Sequence, residues 1–129
     1  MLIGFTFKNC RSFYRENCLS MEITSDTELR GINTFRAGTN IMPRGKDEFL
    51  KSAVIFGGNA SGKSNVLKAI AYMRNCLMQS ASQFPIAAYN EPFAFYDGAE
   101  NEESLYEVEI IQNGTYYRYG FTLLHGRVE

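Results

Sequence analysis

Eight residues, Gly57–Ser64 (GGNASGKS), restrict the fold more than any other part of this chain. They fit the pattern G-x-x-x-x-G-K-[ST], with Gly57, Gly62, Lys63 and Ser64 in the fixed places. Ahead of them, residues 52–56 (Ser-Ala-Val-Ile-Phe) predict a short, fully buried strand. Behind them, Val66, Leu67, Ile70, Met73 and Leu77 recur at helical spacing, which predicts a helix over 63–78. In a loop so placed, main-chain N–H groups converge and the helix adds its partial positive charge, a setting for phosphate. Glycine at 57, 58 and 62 permits close backbone approach, while Asn59, Ala60 and Ser61 fill the loop and Asn65 follows it. Lys63 is the catalytic candidate, reaching the β- and γ-phosphates of a nucleotide as a point charge. Ser64 is the metal candidate, offering its hydroxyl to Mg²⁺. The plainer reading is a glycine-rich turn that opens an ordinary helix.

Length and apolar content fit one domain with a sizeable core. A formal net charge of −1 gives no electrostatic case for nucleic acid. The charge is unevenly spread: between 86 and 112 stand Glu91, Asp97, Glu100, Glu102, Glu103, Glu107 and Glu109 with no Lys or Arg, which reads first as a solvated acidic loop. Cys10, Cys18 and Cys76 are widely spaced, lack a C-x-x-C pair and accompany one His, so neither zinc nor a disulfide framework is expected. Reduced thiols and the lack of a signal-like leader or a long apolar run predict a cytoplasmic protein without a membrane span.

Along the chain, alternation predicts strands at 2–8 and 17–23, paired antiparallel across a polar connection at 9–16. Residues 24–50 are weakly patterned, with a short strand at 32–35. Residues 79–90 read as an irregular crossing, and 91–97 as an edge strand led by Pro92. Strands at 104–111 and 115–124 are joined by Asn113-Gly114, the preferred two-residue hairpin turn. That turn places Tyr106, Val108 and Ile110 opposite Phe121, Tyr119 and Tyr117, and Glu109 opposite Arg118.

The stretch Lys8-Asn9-Cys10-Arg11-Ser12-Phe13 resembles the K-N-F-R-S-F element near the start of SMC-like and RecF-like ATPases, with Cys10 where that pattern has Phe. Gly58–Ser61 and the trailing Asn65 resemble the loop of the same group. Pro92-Phe93, Tyr106–Val108 and Tyr117–Phe121 are similar to bacterial AAA family ATPases of the ABC-type branch, which includes the overcoming-lysogenization-defect proteins. The resemblance implies an α/β fold, the first lobe of a P-loop NTPase (ABC-type ATPase head), with antiparallel strands and a hairpin around a Walker A strand–loop–helix. It also implies that residues 1–129 are the N-terminal part of a longer hydrolase whose remaining C-terminal lobe is a partner. Mg-ATP between the heads of a head-to-head homodimer is the implied ligand. Arg11 and Ser12 are implied to lie close to the nucleotide. DNA repair or phage defence, and nucleic acid as a partner, enter through this resemblance alone.

Hydrolysis needs a Walker B strand ending in acid. Phe93–Asp97 matches only superficially, since Gly98 follows and Pro92 leads, and no L-S-G-G-Q-like element occurs. The chain alone is therefore expected to be inactive. Two other readings stand beside the ATPase lobe. One is a small P-loop kinase-like enzyme, which should show clustered arginines after the helix, where 79–112 has none. The other is a non-catalytic interaction domain with an incidental anion site. In every case an unpaired Val54–Phe56 edge should either self-associate or be covered by the chain's own loops.

Overall fold

The computed structural model describes residues 1–25, 28–38, 41–42, 45–79 and 89–128. Its centre is a five-stranded sheet in the order β2-β1-β5-β6-β7. The strands are β1 (Leu2–Lys8), β2 (Asn17–Ser20), β5 (Ser104–Gln112), β6 (Thr115–Leu124) and β7 (Arg127–Val128). Every pairing in it is antiparallel. The β5–β6 hairpin turns at Asn113 (φ 50) and Gly114 (φ 73), two successive positive φ values that an Asn-Gly pair tolerates and most residues do not. Its register sets Tyr106 against Phe121, Val108 against Tyr119, Ile110 against Tyr117 and Glu109 against Arg118.

One helix, α1 (Lys63–Gln79), lies on one face of this sheet. Val66, Ala69, Met73 and Cys76 are its buried stripe, and they pack with Phe5, Phe7, Tyr106, Phe121 and Leu123. The inward face keeps Val66, Ile70 and Met73 of the stripe drawn from the apolar spacing and adds Ala69 and Cys76, while Leu67 is 63% exposed and Leu77 38%. Two small side chains, Ala69 and Cys76, let the helix approach the aromatic sheet face closely beside Val66 and Met73, and Leu67 and Leu77 turn outward. On the opposite face, β3 (Thr34–Arg36) and β4 (Glu48–Leu50) form a two-stranded antiparallel sheet. Phe49 and Met42 from this region meet Ile3 and Ile111 in a second cluster. A register irregularity between Leu2 and Gly4 lets Ile3 serve that cluster while Phe5 and Phe7 serve the first.

The architecture corrects the expected α/β, P-loop NTPase (ABC-type) lobe. No strand forms at 52–56, and no parallel pair exists among the described residues. Val54 is 72% exposed, Ile55 38% and Phe56 88%, where a buried central strand was expected. A strand is stable only when its main chain finds a ladder, and each ladder of the sheet is formed by other residues. The described residues form an open antiparallel sheet with a single long helix. The 91–97 edge strand is also absent: those residues form loop and turns. The strand expected over 17–23 ends at Ser20. The crossing expected at 79–90 lies largely outside the described residues.

Candidate functional site: a cavity beside the glycine-rich loop

Three chain segments meet at one cavity of about 450 Å³, lined by Arg11 and Ser12, by Ala60–Asn65, and by Glu91, Pro92, Ala94 and Phe95. The first wall is a tight turn. Cys10 and Phe13 exchange main-chain hydrogen bonds of 2.8 Å each way, which puts Arg11 and Ser12 at its apex. Asn9 (φ 48) and Arg11 (φ 54) both occupy left-handed backbone, unusual for an arginine. The turn is fixed from below by Asn9, which is fully buried. Asn9 Nδ2 donates to the carbonyls of Ala99 (2.7 Å) and Glu102 (3.0 Å), and Oδ1 accepts the Phe93 N–H at 3.0 Å. The Ser104 hydroxyl donates to the Asn9 carbonyl at 2.7 Å. One amide side chain thus binds the first wall to the third, satisfying buried donors and acceptors of both.

Arg11 is tied to the third wall three times. Its N–H donates to the Glu91 carbonyl (2.8 Å), its carbonyl accepts the Ala94 N–H (2.9 Å), and Nη2 donates to Glu91 Oε1 at 2.7 Å. Ser12 Oγ accepts from Asn65 Nδ2 at 3.0 Å, joining the first wall to the start of α1. Gly62 (φ 90) sits at that junction, and a Cβ there would lie 2.9 Å from Ser12 Oγ and 3.1 Å from Phe13 Cζ. Only glycine closes this corner.

The glycine-rich loop folds back on its own lysine. Lys63 Nζ donates to the carbonyls of Gly57 (2.7 Å) and Gly58 (2.5 Å) and to Ser61 Oγ (3.3 Å). The N–H groups of Ser61 and Asn65 go to the carbonyls of Gly58 and Gly62. Of the residues singled out in the sequence, Arg11, Ser12, Ala60, Ser61, Gly62, Lys63, Ser64 and Asn65 line the cavity together, whereas Gly57, Gly58 and Asn59 do not. Sequence reasoning missed Glu91, Pro92, Ala94 and Phe95 as its third wall. The signals in that stretch, Pro92 at its head and the Pro92-Phe93 likeness, point to an edge strand and a family element and not to a cavity wall.

Burial governs the chemistry of the neighbouring core. It raises the Cys10 and Cys76 thiols above the ordinary 9.0, and raises Tyr72 and Tyr106 well above 10.0. The Tyr106 hydroxyl donates to Asn90 Oδ1 at 2.9 Å, and Asn90 Nδ2 in turn donates to Ser104 Oγ at 3.1 Å. The three cysteines are free thiols.

Fold and site together define a small antiparallel-sheet domain whose one long helix opens from a glycine-rich loop. Residues 52–128, more than half of the chain, match the family described as AAA domain, putative AbiEii toxin, Type IV TA system, and the chain belongs to that family. The match reaches the AAA family and no finer. The element at Lys8–Phe13 that resembles SMC- and RecF-like proteins lies outside the matched residues. No curated protein matches the chain significantly.

The Mg-ATP-binding lobe expected from the sequence is corrected by the topology. The loop is not fed by a strand of a parallel sheet, so P-loop, Walker A, ABC-type, SMC-like, ATPase and hydrolase are not descriptions of the observed geometry. Among the described residues, no group of three or more His, Cys, Asp or Glu could hold a metal ion. No helix among the described residues is long and apolar enough to cross a membrane.

Proposed function

We propose that this chain is a non-catalytic interaction domain that pairs through residues 52–56 with a second copy of itself, and whose glycine-rich loop offers only an incidental anion site. One observation carries the reading. Residues 52–56 are rich in strand-forming side chains, are exposed, and have no main-chain hydrogen-bond partner among the described residues. An unpaired apolar segment of this kind is a template for strand addition. Val54 is 72% and Phe56 88% exposed, so the described residues leave most of it uncovered.

A second copy fits because residues 52–62 carry no charge, so two such segments meet without like-charge repulsion. Antiparallel pairing about a two-fold axis at Val54 sets Ser52 opposite Phe56 and Ala53 opposite Ile55 in both copies. A contact this short belongs to the weak, concentration-dependent class. The incidental anion site is supported by the cavity at the N-terminus of α1, lined by Arg11 and Lys63.

Sedimentation velocity over a concentration series tests the interaction. The weight-average mass of the wild type should rise with concentration, while Val54→Lys/Phe56→Lys should remain a monomer with an unchanged far-ultraviolet spectrum. A wild type that stays monomeric throughout, or a double variant that associates equally, would overturn the proposal.

A further inference from the structure

The charged groups around the cavity are Arg11, Lys63 and Glu91. Both cations are already occupied. Lys63 is held by three loop oxygens, and Arg11 by the Glu91 carboxylate. The two partners of the ion pair differ in freedom. The Arg11 side chain is 22% exposed and leaves a backbone fixed by the turn, whereas the Glu91 side chain is 59% exposed. Arg11 and Glu91 also line a second cavity of about 370 Å³, which runs along α1 past Lys68, Tyr72 and Asn75. The ion pair is therefore a partition between two spaces as well as a contact.

We infer that Glu91 is a built-in counter-anion: it occupies Arg11 and holds the anion site beside the glycine-rich loop closed. The inference rests on the anion-site part of the function proposed above and explains why that site is incidental. A small oxyanion entering from solvent must displace a carboxylate that is tethered next to the guanidinium and present at high effective concentration. The main-chain bonds between Arg11 and residues 91 and 94 do not involve the carboxylate. Glu91 can thus swing outward while the wall stays in place, and Arg11 is left pointing at the incoming anion. A carboxylate-to-amide change removes the competing charge and keeps the shape of the side chain.

Inorganic pyrophosphate, titrated into ¹⁵N-labelled protein at low ionic strength without divalent metal, is the probe, and the amide shifts of Ser61–Asn65 locate binding. Glu91→Gln should bind about two- to fivefold tighter than wild type, the range set by one exposed ion pair. Glu91→Ala should do the same, and Glu91→Gln/Arg11→Ala should fall back to wild-type affinity or below. Equal affinity in wild type and Glu91→Gln, with shifts at Ser61–Asn65 in both, would overturn the counter-anion role and leave the site standing. Pyrophosphate that moves none of those amides in either protein would overturn the site and its gate together. The strand-pairing part of the functional reading is judged separately, by sedimentation.

Discussion

Two segments of this molecule are built from the same kinds of residue and end in opposite environments. Ile3, Phe5 and Phe7 in β1 are each no more than 2% exposed, while Val54, Ile55 and Phe56 stand in water. β1 has β2 on one side, β5 on the other and α1 across its face. Residues 52–56 have no strand beside them among the described residues. Apolar content therefore did not decide burial; possession of a ladder partner and a cover did. The contrast teaches that an apolar run states a requirement for a neighbour, and the rest of the chain decides whether that requirement is met.

The largest effect that separates the two regions is expected from Phe5→Ala. The ring is fully buried and stacks on Phe7 at 5.2 Å, so its removal leaves a cavity among Tyr106, Phe121 and Met73. Urea denaturation should record a loss of about 4 kcal/mol. A loss below about 1 kcal/mol would mean that the first core cluster is far looser than its burial indicates.

Next comes the residue that makes the covered region rigid. Asn9→Ala removes two donated bonds and one accepted bond, stranding the Glu102 carbonyl and the Phe93 N–H and leaving the Ala99 carbonyl with the Glu102 N–H alone. The expected cost is about 3 kcal/mol by the same measurement, with faster amide exchange at Phe93 and Ala94. Unchanged exchange there would show that the third wall is held without Asn9.

The junction between the two regions is Gly62. Gly62→Ala forces a side chain onto φ 90 and into Ser12 Oγ, at an expected cost of about 2 kcal/mol. If its thermal midpoint equals that of the wild type, the corner between the turn and α1 is not closed in solution.

Alkaline pH sharpens the comparison from another side, because the covered region contains buried acids and residues 52–62 contain no titratable side chain. The folded protein holds the Cys10 and Cys76 protons more tightly than the unfolded chain does, since burial raises both thiols above 9.0. That contribution is complete below about pH 9 and is lost as pH rises through the raised folded values. Each group costs up to about 1.4 kcal/mol per pH unit in that window. Melting curves from pH 8 upward should therefore fall, and Cys10→Ala/Cys76→Ala should delay the fall until Tyr72 and Tyr106 begin to titrate. A flat profile in the wild type would contradict the burial of both thiols.

What could be read in the sequence was what depends on neighbours close in the chain. The β5–β6 register follows from Asn113-Gly114 and from alternation on either side, so Tyr106–Phe121 and Ile110–Tyr117 are recoverable pairs. Even there the ion pair is diagonal: Arg118 meets Glu107 at 2.9 Å, while Glu109 accepts from the Tyr116 hydroxyl. The start of α1 at Lys63 is legible from the glycines before it, and so are Val66, Ile70 and Met73 of its inward stripe, whereas Ala69 and Cys76 are weak apolar signals chosen by the fit to the sheet. The buried role of Asn9 was invisible, since its partners lie about 90 residues away and nothing local marks a polar side chain as a staple. The same distance hid Glu91. The expected strand at 52–56 failed for the complementary reason: the pattern was correct for a strand, and no partner was present to complete it.

The smallest effect is the one that bears most directly on the opening contrast. Phe56 is the counterpart of Phe5 in chemistry, but it is 88% exposed. Phe56→Ala removes little area that folding had taken from water, so the monomer should change by less than about 0.5 kcal/mol. The comparison must be made at a concentration where sedimentation gives a single monomeric species, because association would add its own stabilisation to the wild type. Under those conditions a near-zero difference places Phe56 outside the fold and leaves its apolar surface available for pairing. A loss approaching that of Phe5→Ala would mean that residues 52–56 are covered in solution. The proposed interaction edge would then already be occupied within the monomer.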